Sequence, residues 1–135
     1  MSQSPKNGKR TSIHDLLEQA RSGLVRLSPA EAVRAQEAGA ILVDTRSVDQ
    51  RRQQGTVPGA RVHPLSELEW WLDPESGHAD PAVKLSDWIV LICAEGYSSS
   101  LAAARLKTLG FSRATDVVDG VEGWKAAGLP LEQAE

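Results

Sequence analysis

Apolar residues occur along this chain in two patterns, and the two patterns alternate. Continuous apolar runs at 40–44 and 87–93 are short and rich in branched side chains, which predicts strands buried on both faces. Helical spacing lies between and around them: a capping-box sequence opens the run at 28–39, and an alanine-rich run covers about 98–109. Weaker signals predict short strands at 24–27, 60–63 and 114–120, and helices at 13–23, 65–73 and 121–128.

The alternation of strands with helices predicts the α/β class, with a parallel sheet and helices on both faces. Ligands of such sheets bind beyond the carboxyl ends of the strands. Cys93 and Asp44 stand at the carboxyl ends of the two strongest predicted strands. We expect a polar, disordered tail over 1–10, an N-terminal helix and short strand over 11–27, and one main domain over 28–131.

Composition narrows the classes of protein that fit. The chain has 135 residues, a net charge of -3 and one cysteine, so an internal disulfide is impossible and nothing favours a nucleic-acid partner. No apolar run approaches the length of a membrane span, and the first twenty residues lack the apolar stretch of a secretory signal. We expect a soluble cytoplasmic protein with no membrane partner. The three histidines lack metal-ligand spacing, so we expect no metal.

The segment CAEGYSSS, residues 93–100, carries the strongest functional signal. A helix that begins near Ser98 presents free backbone N–H groups and a partial positive charge. Gly96 allows the sharp turn that would aim these groups at the Cys93 sulfur. Such a cradle stabilises an anion and lowers the pKa of a thiol. The alternative is a buried, inert cysteine, but a core cysteine needs neither the glycine nor the serines.

The same residues resemble a known family. CAEGYSS is similar to the active-site loop of rhodanese-type sulfurtransferases, in which a cysteine precedes a glycine by three positions at a helix start. Three further segments resemble that family's motifs in the right order: LVDTR at 42–46, GTVPGAR at 55–61 and DVVDGVEGWKAAGLP at 116–130. The resemblance covers about residues 28–131. It implies a rhodanese-like domain with a five-stranded, mainly parallel sheet.

The resemblance also implies a reaction. Cys93 as thiolate would take a sulfane sulfur from thiosulfate or a persulfide, and would pass it to a thiol or cyanide without an external cofactor. Asp44 and Arg46 would support the site, more by holding neighbouring loops than by touching substrate. The persulfide would be bound by the loop residues that follow the cysteine: Ala94, Glu95, Gly96, Tyr97, Ser98 and Ser99.

The chain departs from the family pattern at several positions. Thr56 replaces the usual histidine, Asp119-Gly120 replaces a common Gly-Gly pair, and the segment 44–55 is one residue longer than usual. Many relatives carry a cation in the loop, whereas this loop has Glu95 and none. We therefore expect thiosulfate, a dianion, to be a poor donor, and a less charged persulfide to be preferred.

Other functions remain open. A cysteine phosphatase needs Cys-x5-Arg, and the arginine position is Ser99 here, so this reading is disfavoured. A non-catalytic rhodanese-like binding module, or a sulfur sensor, is the main alternative. Trp70 and Trp71 are adjacent on a predicted helix, so one of them is a candidate contact for a protein partner. Arg51-Arg52 is interpreted as a solvated turn.

Overall fold

Four parallel strands form the central sheet in the computed structural model, which describes residues 10–134. Apart from Arg10, the predicted tail at 1–10 lies outside the described residues. The strands stand in the order β2-β1-β3-β4, and all three pairings are parallel. The predicted α/β class and parallel sheet are thus confirmed. The strand bounds are β1 Ile41–Asp44, β2 Arg61–Val62, β3 Ile89–Ile92 and β4 Thr115–Asp116.

Helices cover both faces of this sheet. They are α1 Ile13–Ser22, α2 Pro29–Glu37, α3 Val48–Gln54, α4 Leu68–Leu72, α5 Ser98–Thr108 and α6 Gly120–Ala126, with a 3-10 turn at Leu65–Glu67 before α4. Within residues 10–134, none of the helices has both the length and the apolar character that crossing a bilayer requires.

Strand β3 shows why the sheet is buried on both sides. Val90 and Ile92 pack into a core cluster with α2 and α6, whereas Ile89 and Leu91 pack into a second cluster with α4 and α5. Successive side chains of a strand point to opposite faces, so a strand between two helical layers needs a continuous apolar sequence. Burial on both faces therefore explains the continuous apolar run from which this strand was predicted.

The expectation of a fifth strand was wrong for the described residues. The segment predicted as a strand at 24–27 is reduced to one parallel bridge, between Leu27 and Val117. Ser28 immediately caps α2, so the chain leaves the sheet after a single pairing. Val25 is 82% exposed, so this part of the segment is not buried as the inner strands β1 and β3 are. Leu27 is buried in one core cluster, and Leu24 packs against the other while partly buried.

Helix α3 replaces the solvated turn expected around Arg51-Arg52. Ser47 Oγ accepts a hydrogen bond from the Gln50 N–H at 3.2 Å, and Gln50 Oε1 accepts one from the Ser47 N–H at 3.0 Å. This is a capping box of the Ser-x-x-Gln type, a signal that was present in the sequence. The seven residues of α3 are too short and too polar for an apolar pattern to reveal them.

The segment before the main domain, residues 13–27, packs against the rest of the protein. Helix α1 lies on α5 and buries Leu17. Lys107 Nζ of α5 donates to the Gly23 carbonyl at 2.6 Å, and Thr115 Oγ1 of β4 donates to the Val25 carbonyl at 2.8 Å. These residues, called the N-terminal segment below, are therefore an ordered part of the fold.

Candidate active site

The sulfur of Cys93 lies at the carboxyl end of β3, where the chain turns into α5. Cys93 is 6% exposed. Its Sγ atom accepts a hydrogen bond from the Gly96 N–H at 3.1 Å and lies 3.2 Å from Ser99 Oγ. The loop and the first turn of the helix therefore converge on the sulfur with polar groups.

Two opposing effects act on the ionisation of Cys93. Burial raises the pKa of the thiol, but hydrogen bonds outweigh it and leave that pKa below its ordinary value. These bonds come from the hydroxyl and backbone N–H of Ser99, the hydroxyl of Ser98 and the Gly96 N–H. The partial positive charge at the start of α5 acts in the same direction. Cys93 therefore ionises more easily than an ordinary cysteine, although its sulfur is buried.

Close approach of two backbone segments shapes the loop. Gly96 has φ +85°, and a Cβ on it would lie 2.8 Å from the Asp119 nitrogen. A Cβ on Gly120 would collide with the Cys93 carbonyl oxygen, to which the Val121 N–H donates at 2.8 Å. Asp119 has φ 61°, in the left-handed region that favours glycine. This explains why Asp119 can replace a glycine: aspartate tolerates that region better than most residues.

A buried carboxylate lies beneath the loop, and its role was not predicted from the sequence. Asp116 is 0% exposed at the end of β4. Its Oδ2 accepts from Ser99 Oγ at 2.7 Å and Ser100 Oγ at 2.8 Å, and its Oδ1 accepts from Arg26 Nε at 2.8 Å. Asp116 thus joins the N-terminal segment to the serine that contacts the sulfur. The available signal was an acid inside the strand predicted over 114–120, which in the structure ends at Asp116.

A cavity of about 440 Å³ opens beside Cys93. Its wall is mostly hydroxyl-bearing and apolar, and Glu95 and Tyr97 are exposed at its edge while Ala94 and Ser98 are half-buried. The residues that line it are Thr45, Arg46, Ser47, Gln50, Pro64, Leu65, Ser66, Cys93, Ala94, Glu95, Tyr97 and Ser98. A small molecule can therefore reach the sulfur from this side.

Asp44 and Arg46 form a buried ion pair rather than a charge displayed to the cavity. Arg46 Nη2 lies 2.7 Å from Asp44 Oδ2, and their side chains are 0% and 1% exposed. The same guanidinium donates to Gln54 Oε1 at 3.2 Å and to the Gly55 carbonyl at 2.8 Å. The pair holds the carboxyl end of α3 against β1, and its charges are satisfied inside the protein.

The remaining candidate residues lie outside the cavity. Trp70 is 62% exposed; Trp71 is 39% exposed and stacks on His63 with ring centroids 5.4 Å apart. His63 is buried and contacts Asp80, whereas His14 and His78 are exposed. Among residues 10–134, no three His, Cys, Asp or Glu side chains come together as they do around a metal ion.

Comparison with known proteins gives the family. The model of the rhodanese-like domain matches residues 28–127. A thiosulfate sulfurtransferase GlpE of Actinobacillus pleuropneumoniae serotype 3 is 33% identical over 96 residues, which are 71% of this chain and 81% of that protein. A second GlpE, from Actinobacillus succinogenes, is 41% identical over 46 residues, which are 34% of this chain and 41% of that protein.

Solved structures give the same fold. A protein of unknown function from Rhodopseudomonas palustris CGA009, described as a possible tyrosine phosphatase, is 29% identical with a TM-score of 0.83, over 98% of this chain and 99% of that chain. The polysulfide-sulfur transferase homodimer from Wolinella succinogenes is 22% identical with a TM-score of 0.66, over 85% of this chain and 82% of that chain. The boundaries of the main domain at residues 28 and 131 stay a prediction. The chain belongs to the rhodanese-like domain family.

Proposed function

We propose that this protein is a sulfurtransferase that carries a sulfane sulfur on Cys93. The observation that carries the proposal is the Cys93 sulfur itself. This sulfur is buried beside an open cavity and accepts a hydrogen bond from the Gly96 N–H at 3.1 Å. Its hydrogen bonds hold the pKa of the thiol below its ordinary value. A cysteine that only fills space in the core requires none of these features. Similarity to proteins named thiosulfate sulfurtransferase supports the same reaction class.

The transfer takes place in two displacements at sulfur. The Cys93 thiolate attacks the outer sulfur of the donor; the donor S–S bond breaks, and sulfite or a thiolate leaves with the bonding pair. The acceptor, a thiolate or cyanide, then attacks the outer sulfur of the Cys93 persulfide and restores the Cys93 thiolate. The hydrogen bonds around the sulfur stabilise each anionic state, and no cofactor takes part in either step.

The cavity favours a donor of low charge. Among the residues 10–134 that line it, Arg46 is the one cation, and its guanidinium is bound to Asp44, Gln54 and Gly55. Glu95 adds a negative charge at the edge. Thiosulfate would bring two negative charges to a wall whose described residues offer no free cation. We therefore place a persulfide ahead of thiosulfate as the donor.

The first test measures the mass of the intact protein after incubation with a sulfane donor. The wild type is expected to gain one sulfur atom, which cyanide or a thiol removes and carries away as product. Cys93→Ser is expected to gain none, because it lacks the nucleophile. A wild type that gains no sulfur from thiosulfate or from any persulfide would contradict the proposal and would favour a non-catalytic module. A stable adduct without transfer would favour a sensor.

The second test addresses donor choice. Glu95→Gln removes the exposed charge beside the cavity, so kcat/KM for thiosulfate is expected to rise about two- to fivefold at low salt, with a smaller rise at high salt. Glu37→Gln is the matched control, since Glu37 is exposed on α2 and does not line the cavity. Unchanged kinetics with thiosulfate in Glu95→Gln would show that the charge plays no part.

Phosphatase activity is disfavoured by the loop, although a similar structure is described as a possible phosphatase. The side chain six residues after Cys93 is Ser99, which is buried and donates to Asp116. It provides no guanidinium for an oxyanion. A contact with a protein partner at Trp70 or Trp71 stays a proposal, and a cytoplasmic location stays a prediction.

A further inference from the structure

Two arginines from outside the matched domain reach the back of the catalytic loop. The family match begins at residue 28, and both arginines precede it. Arg21 Nη2 donates to the Gly96 carbonyl at 2.8 Å, and Arg26 Nη2 donates to the same oxygen at 3.2 Å. The N–H of Gly96 faces the Cys93 sulfur on the other side. Gly96 is therefore held from both directions.

Arg26 also pairs with the carboxylate beneath the nucleophile. Its Nε lies 2.8 Å from Asp116 Oδ1, with side-chain exposures of 17% and 0%. Asp116 lies one hydroxyl away from the sulfur, since Ser99 Oγ is 2.7 Å from Asp116 Oδ2 and 3.2 Å from Cys93 Sγ. A buried negative charge at this separation opposes formation of a second one on the sulfur. The arginine offsets that effect.

The Ser99 hydroxyl has one proton to give. In the structure it donates to Asp116, and the Cys93 thiol donates to Ser99 Oγ. When Cys93 is ionised, Ser99 donates to the sulfur only by releasing Asp116. Asp116 then keeps its bonds from Ser100 and Arg26. The strength with which Asp116 holds the Ser99 proton therefore sets how easily the thiolate forms.

Other charges near Cys93 are already satisfied or exposed. From β1, Asp44 and Arg46 pair with each other; on the loop itself, Glu95 is exposed. From α6, Glu122 accepts from Gln54. Arg21 donates to Gly96 and Ser100, and its guanidinium also lies 5.9 Å from the Tyr97 ring centroid. The ion pair of Asp116 and Arg26 differs from these charges because hydrogen bonds connect it to the sulfur through Ser99.

We propose that Arg26 and Asp116 are opposing positioning residues that control the ionisation of Cys93 through Ser99, with Arg26 supplied by the N-terminal segment. The inference rests on the proposed role of Cys93 as the nucleophile. Asp116 holds Ser99 in the orientation that suits the neutral thiol, and Arg26 weakens that hold and neutralises the carboxylate. Neither residue touches the substrate.

The test follows alkylation of Cys93 by iodoacetamide as a function of pH, read by intact mass; Cys93 is the only cysteine of the chain. Arg26→Gln is expected to move the alkylation midpoint up by about one pH unit, because the carboxylate loses its counter-charge. Asp116→Asn is expected to move it down by a similar amount. The double variant is expected to return close to wild type.

Two controls separate this effect from general damage. Arg26→Lys keeps the charge and is expected to shift the midpoint less than Arg26→Gln. Lys107→Met removes another anchor of the N-terminal segment, the bond to the Gly23 carbonyl, without touching the loop, and is expected to leave the midpoint unchanged.

Shifts of Arg26→Gln and Asp116→Asn in the same direction, or no shift in either, would overturn the inference. If Arg26→Gln does not fold by circular dichroism, Asp116→Asn decides alone: a midpoint at or above wild type overturns it. Alkylation needs no sulfur transfer, so a wild type that alkylates as described but forms no persulfide would refute the proposed function and leave this inference standing.

Discussion

At the scale of single residues, one backbone amide links the fold to the chemistry. The Gly96 N–H reaches the sulfur because the loop turns at φ +85° and packs directly on Asp119. Both conditions require the residue to lack a side chain. The glycine was readable from the sequence because a sharp turn between a strand and a helix needs one. The close contact with the Asp119 backbone, 23 positions later, could not be read from the sequence.

Gly96→Ala is expected to slow persulfide formation at least about tenfold, because the N–H bond to the anionic sulfur is lost as the loop shifts. Stability is expected to fall by about 1–3 kcal/mol, from the strained φ and from the Cβ contact with Asp119. Gly77→Ala is the matched control. Its φ is +86° and nothing lies within 4 Å of the added Cβ, so it carries the conformational cost alone.

Persulfide formation by intact mass and unfolding in urea measure the two effects separately. A wild-type rate in Gly96→Ala would show that the Gly96 amide does not serve the sulfur. An equal loss of stability in Gly77→Ala would show that conformation, and not the contact with Asp119, accounts for the cost.

Asp116 shows why part of the site escaped sequence reasoning. Its partners Ser99 and Arg26 are 17 and 90 positions away along the chain. A single sequence shows an acid and two serines as separate polar residues, and only the packing of β4 against α5 brings them together. Cys93 and its loop were predicted because their chemistry is local in sequence.

At the scale of elements, long apolar patterns were reliable and short polar ones were not. Strand β3 and helix α5 occur where they were predicted, since β3 is buried throughout and α5 buries one face against the core. Helix α3 was missed because its stability comes from a capping box and from Arg51 Nη1, which donates to the Arg46 carbonyl at 2.8 Å. The strand predicted at 24–27 does not form because the next residue, Ser28, already caps α2.

The loop between α4 and β3 is held by another buried carboxylate, Asp80. Asp80 Oδ1 accepts from Arg61 Nη2 at 2.9 Å and from the Ala82 N–H at 3.0 Å, and His63 Nε2 lies 3.0 Å from its Oδ2. Burial raises the pKa of Asp80, but these hydrogen bonds and the Arg61 charge outweigh it and lower that pKa to about 2. The charged form of Asp80 therefore stabilises the fold.

Asp80→Asn is expected to lower the free energy of unfolding at pH 7 by about 2 kcal/mol. Because the folded pKa is depressed, the stabilisation is present above about pH 4 and is lost as the pH falls toward 2. The wild type should therefore lose more stability than the variant over that range. Urea unfolding at a series of pH values measures this.

Glu75→Gln, on the same loop and exposed, serves as the control for loss of one acid and is expected to follow the wild-type curve. Parallel curves for wild type and Asp80→Asn between pH 4 and 2 would show that the carboxylate is not the source of the acid sensitivity.

At the scale of the whole molecule, the sheet explains where the site lies. Parallel strands bring their carboxyl ends to one edge, so Asp44 of β1, Cys93 after β3 and Asp116 of β4 meet there although they are far apart in sequence. The fold class was predictable because the alternation of strands and helices allows few topologies. The route of the N-terminal segment across the back of the loop was not, since nothing in its sequence identifies its partners.

That route has a practical consequence for anyone who expresses this protein in pieces. A fragment trimmed at residue 28, the edge that a family comparison suggests, would retain the cysteine and its entire loop. It would nevertheless lack Arg21 and Arg26 and leave a buried acid with no counter-ion. An assay on such a trimmed protein would report the behaviour of Cys93 in altered surroundings, and a weak signal there would say little about the intact protein.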